Sequence, residues 1–235
     1  MIKAEEIPTI LLLVATYGTF LVLTSAASVL PPALVILSLA CLIALHSSLQ
    51  HEVLHGHPFY NQILNDALVF PALGVFVPYL RFKDTHRAHH FDPNLTDPYD
   101  DPESNYLDDH IWAQMCVVMR LLYQFNTTLL GRMVVGPIIG IIEFYKEDAK
   151  AIFRGNRRIA ISYALHVVGL SIPLAWVIMA TELPLWAYVA SAYVAMSILK
   201  VRTFLEHRAN DRASARTVII EDRGALAFLF LNNNY

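Results

Sequence analysis

His51-Glu52-Val53-Leu54-His55-Gly56-His57 and His86-Arg87-Ala88-His89-His90 flank an uncharged run, Ala67-Leu68-Val69-Phe70-Pro71-Ala72-Leu73-Gly74-Val75-Phe76-Val77-Pro78-Tyr79-Leu80. How that run is read decides the fold. Its 14 residues fall short of the roughly 20 that a helix needs to cross a bilayer, and Pro71, Gly74 and Pro78 interrupt it. If it crossed, the two histidine clusters would lie on opposite sides of a membrane and could share no site. The run is therefore read as re-entrant or interfacial, returning the chain to the face it left.

Seven of the ten histidines fall in residues 46–90. On a helix, positions i and i+4 share a face, so His51 pairs with His55, and His86 with His90, with His89 beside them. A single histidine is an ordinary surface residue. Two clusters in this pattern point to a metal. Imidazole suits zinc, copper, iron and nickel alike, so ligand type leaves the metal open. His51 to His55 also spells HExxH, the zinc-protease pattern with Glu52 as general base. That alternative, an intramembrane zinc metalloprotease, leaves the second cluster without a role.

Outside the clusters the chain reads as an all-α integral membrane protein. Hydrophobic residues make up 56% of the 235 and charged ones 16%, with mean hydropathy +0.45, whereas a soluble domain carries about 25% charged residues. A net charge of −3 and pI near 6.3 argue against a nucleic-acid partner. Cys41 and Cys116 supply no disulfide framework and are expected as reduced thiols. Uncharged runs predict four transmembrane helices in two hairpins, at about 9–30, 33–50, 159–181 and 183–199, turning at Pro31-Pro32 and at Thr181-Glu182. Residues 84–110 read as a polar loop on the membrane face. Residues 111–145, amphipathic and broken by Arg120 and Arg132, read as interfacial helices that complete a cytoplasmic-face cap over the histidines. The two outer turns hold none of the 17 lysines and arginines, so the positive-inside rule puts both termini in the cytoplasm, in a bacterial inner membrane. The whole is a single membrane domain.

HxxxH in His51–His55 followed by HxxHH in His86–His90 resembles the first two histidine boxes of the membrane fatty acid desaturase and hydroxylase superfamily. The surroundings match as well: Asn61 to Asp66 after the first box, Arg81-Phe82 leading into the second, and Asn94-Leu95-Thr96-Asp97-Pro98 after it. The resemblance covers essentially the whole chain. It implies a non-haem di-iron centre that uses O₂ and two electrons to desaturate or hydroxylate a fatty acyl or lipid chain. The electrons would come from a donor of ferredoxin, rubredoxin or cytochrome b5 type. Carried over residue by residue, the metal ligands are His51, His55, His86, His89 and His90. His207, in Thr203-Phe204-Leu205-Glu206-His207-Arg208, is the additional ligand from the segment after the last span. His57, Glu52, Asp84 and Glu206 are candidates to support the ligating imidazoles through hydrogen bonds. His46 is expected to be buried in its span near the site, His110 to be an exposed loop residue, and His166 to be hydrogen-bonded within a span.

The family carries a third HxxHH after a stretch like Phe228-Leu229-Phe230-Leu231-Asn232-Asn233-Asn234-Tyr235, where this sequence stops. The expectation is a fragment or truncation supplying about two thirds of the ligand set, with one iron poorly held. A truncated, inactive membrane protein that keeps the fold is the non-enzymatic alternative.

Overall fold

The computed structural model describes residues 6–91, 96–97, 106–206, 210, 215–218 and 224–231. Among these, every regular element is a helix: α1 (Ile7–Ser25), α2 (Pro32–Leu54), α3 (Gln62–Leu68), α4 (Tyr79–Phe91), α5 (Asp109–Gln114), α6 (Val117–Asn126), α7 (Leu129–Val134), α8 (Gly136–Phe153), α9 (Arg157–Ala180), α10 (Leu185–Glu206) and α11 (Ala225–Leu229).

Local chemistry fixes the ends. Pro32 opens α2 at a position where a missing N–H is harmless. Asn61 caps α3, its side chain accepting from the amides of Ile63 and Leu64. Gly155, at φ 91°, ends α8 in the left-handed conformation that glycine tolerates, and Asn156 then caps α9 by accepting from Ile159. The helices run further than the uncharged stretches do. α2 continues past residue 50 to Leu54, so the first histidine box is the helix's own C-terminal turn.

By length and apolar composition α1, α2 and α9 can each cross a membrane; 23 residues in α2 amount to about 35 Å. α10 is 22 residues long, but serines, tyrosines, Lys200 and Arg202 dilute it. α2 is the central helix. α1 packs along it, and α10 takes α2, not its chain neighbour α9, as its principal partner. Ala187, Tyr188, Ala192 and Ala195 of α10 are buried against Leu39, Ala40, Ile43 and Ala44 of α2. Small residues let the two backbones approach, which is how helices associate where lipid offers no hydrophobic contrast. α9 and α10, expected from the sequence to form the second hairpin, thus each find their main packing partners elsewhere.

The reason lies in residues 69–78, which are non-helical and wedge between α9 and α10. The Ala72 amide donates to the Gly169 carbonyl of α9 at 3.2 Å. His166 of α9 donates to the Val75 carbonyl at 2.9 Å, and Tyr188 of α10 donates to the Leu73 carbonyl at 2.8 Å. From α1, the Tyr17 hydroxyl lies 3.0 and 3.1 Å from the Leu68 and Pro71 carbonyls, and Tyr145 of α8 donates to Phe76. Irregular backbone away from water must be satisfied by protein groups, and here four helices supply them. The segment follows α3, which packs on α2, and delivers the chain to α4, whose histidines meet the end of α2 that carries the first histidine box.

α5 to α8 form a layer over residues 109–153. α7 and α8 pack on α10, while α6 leaves Val117, Val118 and Leu121 exposed along one side. α11 returns to α2, where Ser48 donates to the Leu229 carbonyl at 2.9 Å.

Candidate metal centre

Two short helical stretches carry the centre. The last turn of α2 holds His51, and His55 caps its end. Gly56 at φ 94° then turns the chain away, and the Val53 carbonyl accepts from both the Gly56 amide at 3.1 Å and the Gln62 side chain at 3.0 Å. Buried Asn65 grips the following loop, accepting from the Phe59 amide and donating to the Phe59 carbonyl. α4 supplies His86 and His90, one turn apart. Tyr79, Leu80 and Phe82 of α4 pack with Leu45, Leu49, Val53 and Val69, which draws the α4 face bearing the histidines against the end of α2.

The result is a four-imidazole cluster. The nitrogens of His51, His55, His86 and His90 all lie within 4.8 Å of one another. Ring centroids are 4.5 Å apart for His51–His86 and His86–His90, 4.7 Å for His51–His55 and 5.0 Å for His55–His90, each pair edge-on. His86 Nε2 is 2.8 Å from Nε2 of both His51 and His90. One imidazole nitrogen offers either one proton or one lone pair, so it cannot complete two good hydrogen bonds to two such neighbours. Convergent lone pairs do fit a cation: two nitrogens about 2.1 Å from one ion, at right angles, are about 3.0 Å apart. His51 Nδ1 is buried with no hydrogen-bond partner among the described residues. Burial first, then His90, His86, His57 and Arg87 nearby, pushes the His55 imidazole down to about 4; the neutral form, with a lone pair to give, holds at neutral pH. The donor set fits a first-row metal.

The other sequence candidates are distributed as follows. His89 is buried, its ring 6.0 Å from those of His86 and His90, and it is not one of the four convergent groups, because 100° per residue turns it off their face. His207 lies outside the described residues, and so does the side chain of Glu206. His57 pairs through Nδ1 with Glu6 at the start of α1. Glu52 sits one residue around the helix from His51, with His57 and Glu6 as its ionisable neighbours. Asp84 projects away from the cluster and makes a two-pronged ion pair with Arg158 of α9, at 2.6 and 2.7 Å. His46 is buried in α2, with Nε2 3.0 Å from the Tyr17 hydroxyl. His110 is exposed on α5. The HExxH pattern accounts for two of the four imidazoles and leaves those of α4 unexplained.

Sequence reasoning passed over the network behind α4. Arg81 makes a bidentate pair with buried Asp148 of α8, which also accepts from Tyr163 of α9. Lys83 and Tyr79 both bind Asp66 of α3. No local pattern marks such pairs; the one available signal was the density of charges leading into the second box.

A family model described as fatty acid desaturase matches residues 27–235. No curated protein and no solved structure matches the chain.

Proposed function

The chain belongs to the fatty acid desaturase family, and from that premise we propose O₂-dependent desaturation or hydroxylation of a fatty acyl or lipid chain at a histidine-ligated di-iron centre. The observation that carries this reading is the convergence of four imidazoles from two helices. His51, His55, His86 and His90 would hold metal, and His89 and His207 complete the proposed ligand set. Iron, when bound, supplies with O₂ the oxidising power to break an unactivated C–H bond. Removing two hydrogens from the chain and reducing O₂ to two waters needs two further electrons and protons, hence a donor of ferredoxin, rubredoxin or cytochrome b5 type. The protein's part is geometry. α2 and α4 orient the imidazoles, partial burial favours the neutral His55 ring, and the packed layer of Tyr79, Leu80 and Phe82 keeps water from one side.

In this reading α1, α2, α9 and α10 span the membrane, with both termini and the histidine centre on the cytoplasmic side of a bacterial inner membrane. The absence of lysine and arginine from the 26–31 and 181–184 turns supports that orientation. Cysteine at position 74 tests it. A Cβ there meets nothing within 4 Å, so the substitution is sterically free once exposed Cys41 and Cys116 are replaced. The expected result is no labelling by an impermeant thiol reagent from the outer face. Outer labelling would mean that residues 67–80 cross, and the shared site would be lost.

The function itself is tested by iron analysis of the purified protein, together with lipid profiling of cells expressing it. Bound iron and new unsaturated or hydroxylated acyl chains are expected. Iron-free protein and an unchanged lipid profile would sink the proposal.

A further inference from the structure

α4 is a 13-residue, largely polar helix, too short to hold its shape or direction unaided. At 100° per residue, Tyr79, Lys83, His86 and His90 share one face, while Arg81 and Asp84 lie on the opposite one. Both faces are clamped. Toward α3, the Lys83 ammonium contacts both Asp66 oxygens at 2.9 and 2.7 Å, and the Tyr79 hydroxyl donates to Asp66 at 2.6 Å. Toward α8, the Arg81 guanidinium meets Asp148 at 2.7, 2.9 and 3.0 Å. Asp148 is 3% exposed, the Tyr163 hydroxyl donates to it at 2.9 Å, and the Arg81 guanidinium also lies over the Phe144 ring. The third clamp, Asp84 with Arg158, is exposed on the arginine side and is worth little by itself.

We propose that Arg81 is a positioning residue for the histidine centre, acting through its buried pair with Asp148 to fix the roll and height of α4. The inference rests on reading the four imidazoles as a metal centre. A planar guanidinium bound in two places to a carboxylate resists rotation in a way that a point charge does not. Arg81 and His86 project from nearly opposite sides of one helix, so any roll permitted at Arg81 swings His86 and His90 away from His51 and His55. Asp66 alone, held through a flexible lysine and a phenol, fixes height better than roll.

The test is a Co²⁺ titration of the metal-free full chain in detergent, read by visible absorption, with helix content and thermal unfolding measured on the same samples. Arg81→Leu combined with Asp148→Leu removes both buried charges at once, which buried pairs often tolerate without loss of stability. Its expected Co²⁺ affinity is about ten- to a hundredfold below wild type, the range seen when groups supporting metal ligands are removed. Arg81→Lys keeps the charge but not the fork, and should fall between the two. Arg158→Gln should stay within about twofold, as an exposed pair allows. A purely structural role for the pair would lower the unfolding temperature and leave the affinity of the folded protein unchanged, and that result overturns the proposal. If the double variant does not fold, Tyr163→Phe carries the test: a few-fold weaker Co²⁺ binding supports the proposal, and wild-type affinity overturns it. Indifference of wild-type Co²⁺ binding to His86→Ala would fail the metal-centre reading and the proposal with it, an outcome distinct from failure of the clamp alone.

Discussion

His86→Ala is expected to empty the centre, with metal affinity falling by more than about a hundredfold and oxidation of lipid lost. His86 is the imidazole the others are built around. It is 6% exposed, and its Nε2 stands 2.8 Å from the Nε2 atoms of both His51 and His90. Deleting it removes the donor that lies closest to both His51 and His90, and leaves the His55–His90 approach as the link between the two helices. Groups that merely support a ligand are worth about ten- to a hundredfold in metal affinity, so a direct ligand at the middle of the set must exceed that range. The fold should survive, because alanine is the best helix former and no long apolar helix depends on α4. His110→Ala, at an exposed position on α5, is the matched control and should change nothing. Metal equivalents per chain and lipid profiles, compared between the two variants, decide the matter. Full metal loading and turnover in His86→Ala would remove His86 from the centre.

The cluster was legible because both of its halves are local. His51–His55 and His86–His90 are i,i+4 pairs, and helical periodicity alone puts each pair on one face. The return of the chain between them was legible from apolar length and prolines. What could not be read was anything set by the angle of one helix against another. Asp84 is close in sequence to His86 yet lies about 160° around α4, so it meets Arg158 instead of an imidazole. His89 is flanked by cluster residues and still lies to one side. The partners of α4 come from Asp66, Asp148 and Arg158, and charged residues that distant in sequence carry no sign of being paired until the helices are packed. The choice of α2 over α9 by α10 was hidden for the same reason. It follows from the non-helical stretch 69–78 lying between α9 and α10, and hydropathy records that a segment is apolar without recording where it goes.

That wedge makes the second large effect predictable. Gly169→Ala should destabilise the folded protein severely, by about 3 kcal/mol or more. A Cβ at residue 169 would stand 2.2 Å from the Phe70 carbonyl oxygen and 3.8 Å from the Ala72 amide nitrogen, a clash with backbone that no rotamer relieves. Separating the strands of chain breaks the Ala72–Gly169 hydrogen bond and strains the neighbouring bonds from His166 and Tyr188. Each buried polar group left unpaired costs about 1–3 kcal/mol, and more where no water can reach. Pro173 explains why the Gly169 carbonyl is free. Proline at i+4 has no N–H to give it, so the helix leaves an acceptor open at the point where the Ala72 amide arrives. Pro173→Ala should therefore act against the usual trend. Replacing proline inside a helix ordinarily relieves about 3 kcal/mol, but here the restored amide competes for the Gly169 carbonyl and releases the non-helical stretch 69–78. Little net gain, or a loss, is expected. Gly18→Ala, on α1 with nothing within 4 Å of its Cβ, is the control and should stabilise by about 0.5–1 kcal/mol. Unfolding of the three variants in detergent, followed by helix content, separates these outcomes. If Gly169→Ala melts with wild type, residues 69–78 do not pack on α9 as described, and the route that brings His86 to His51 is a different one.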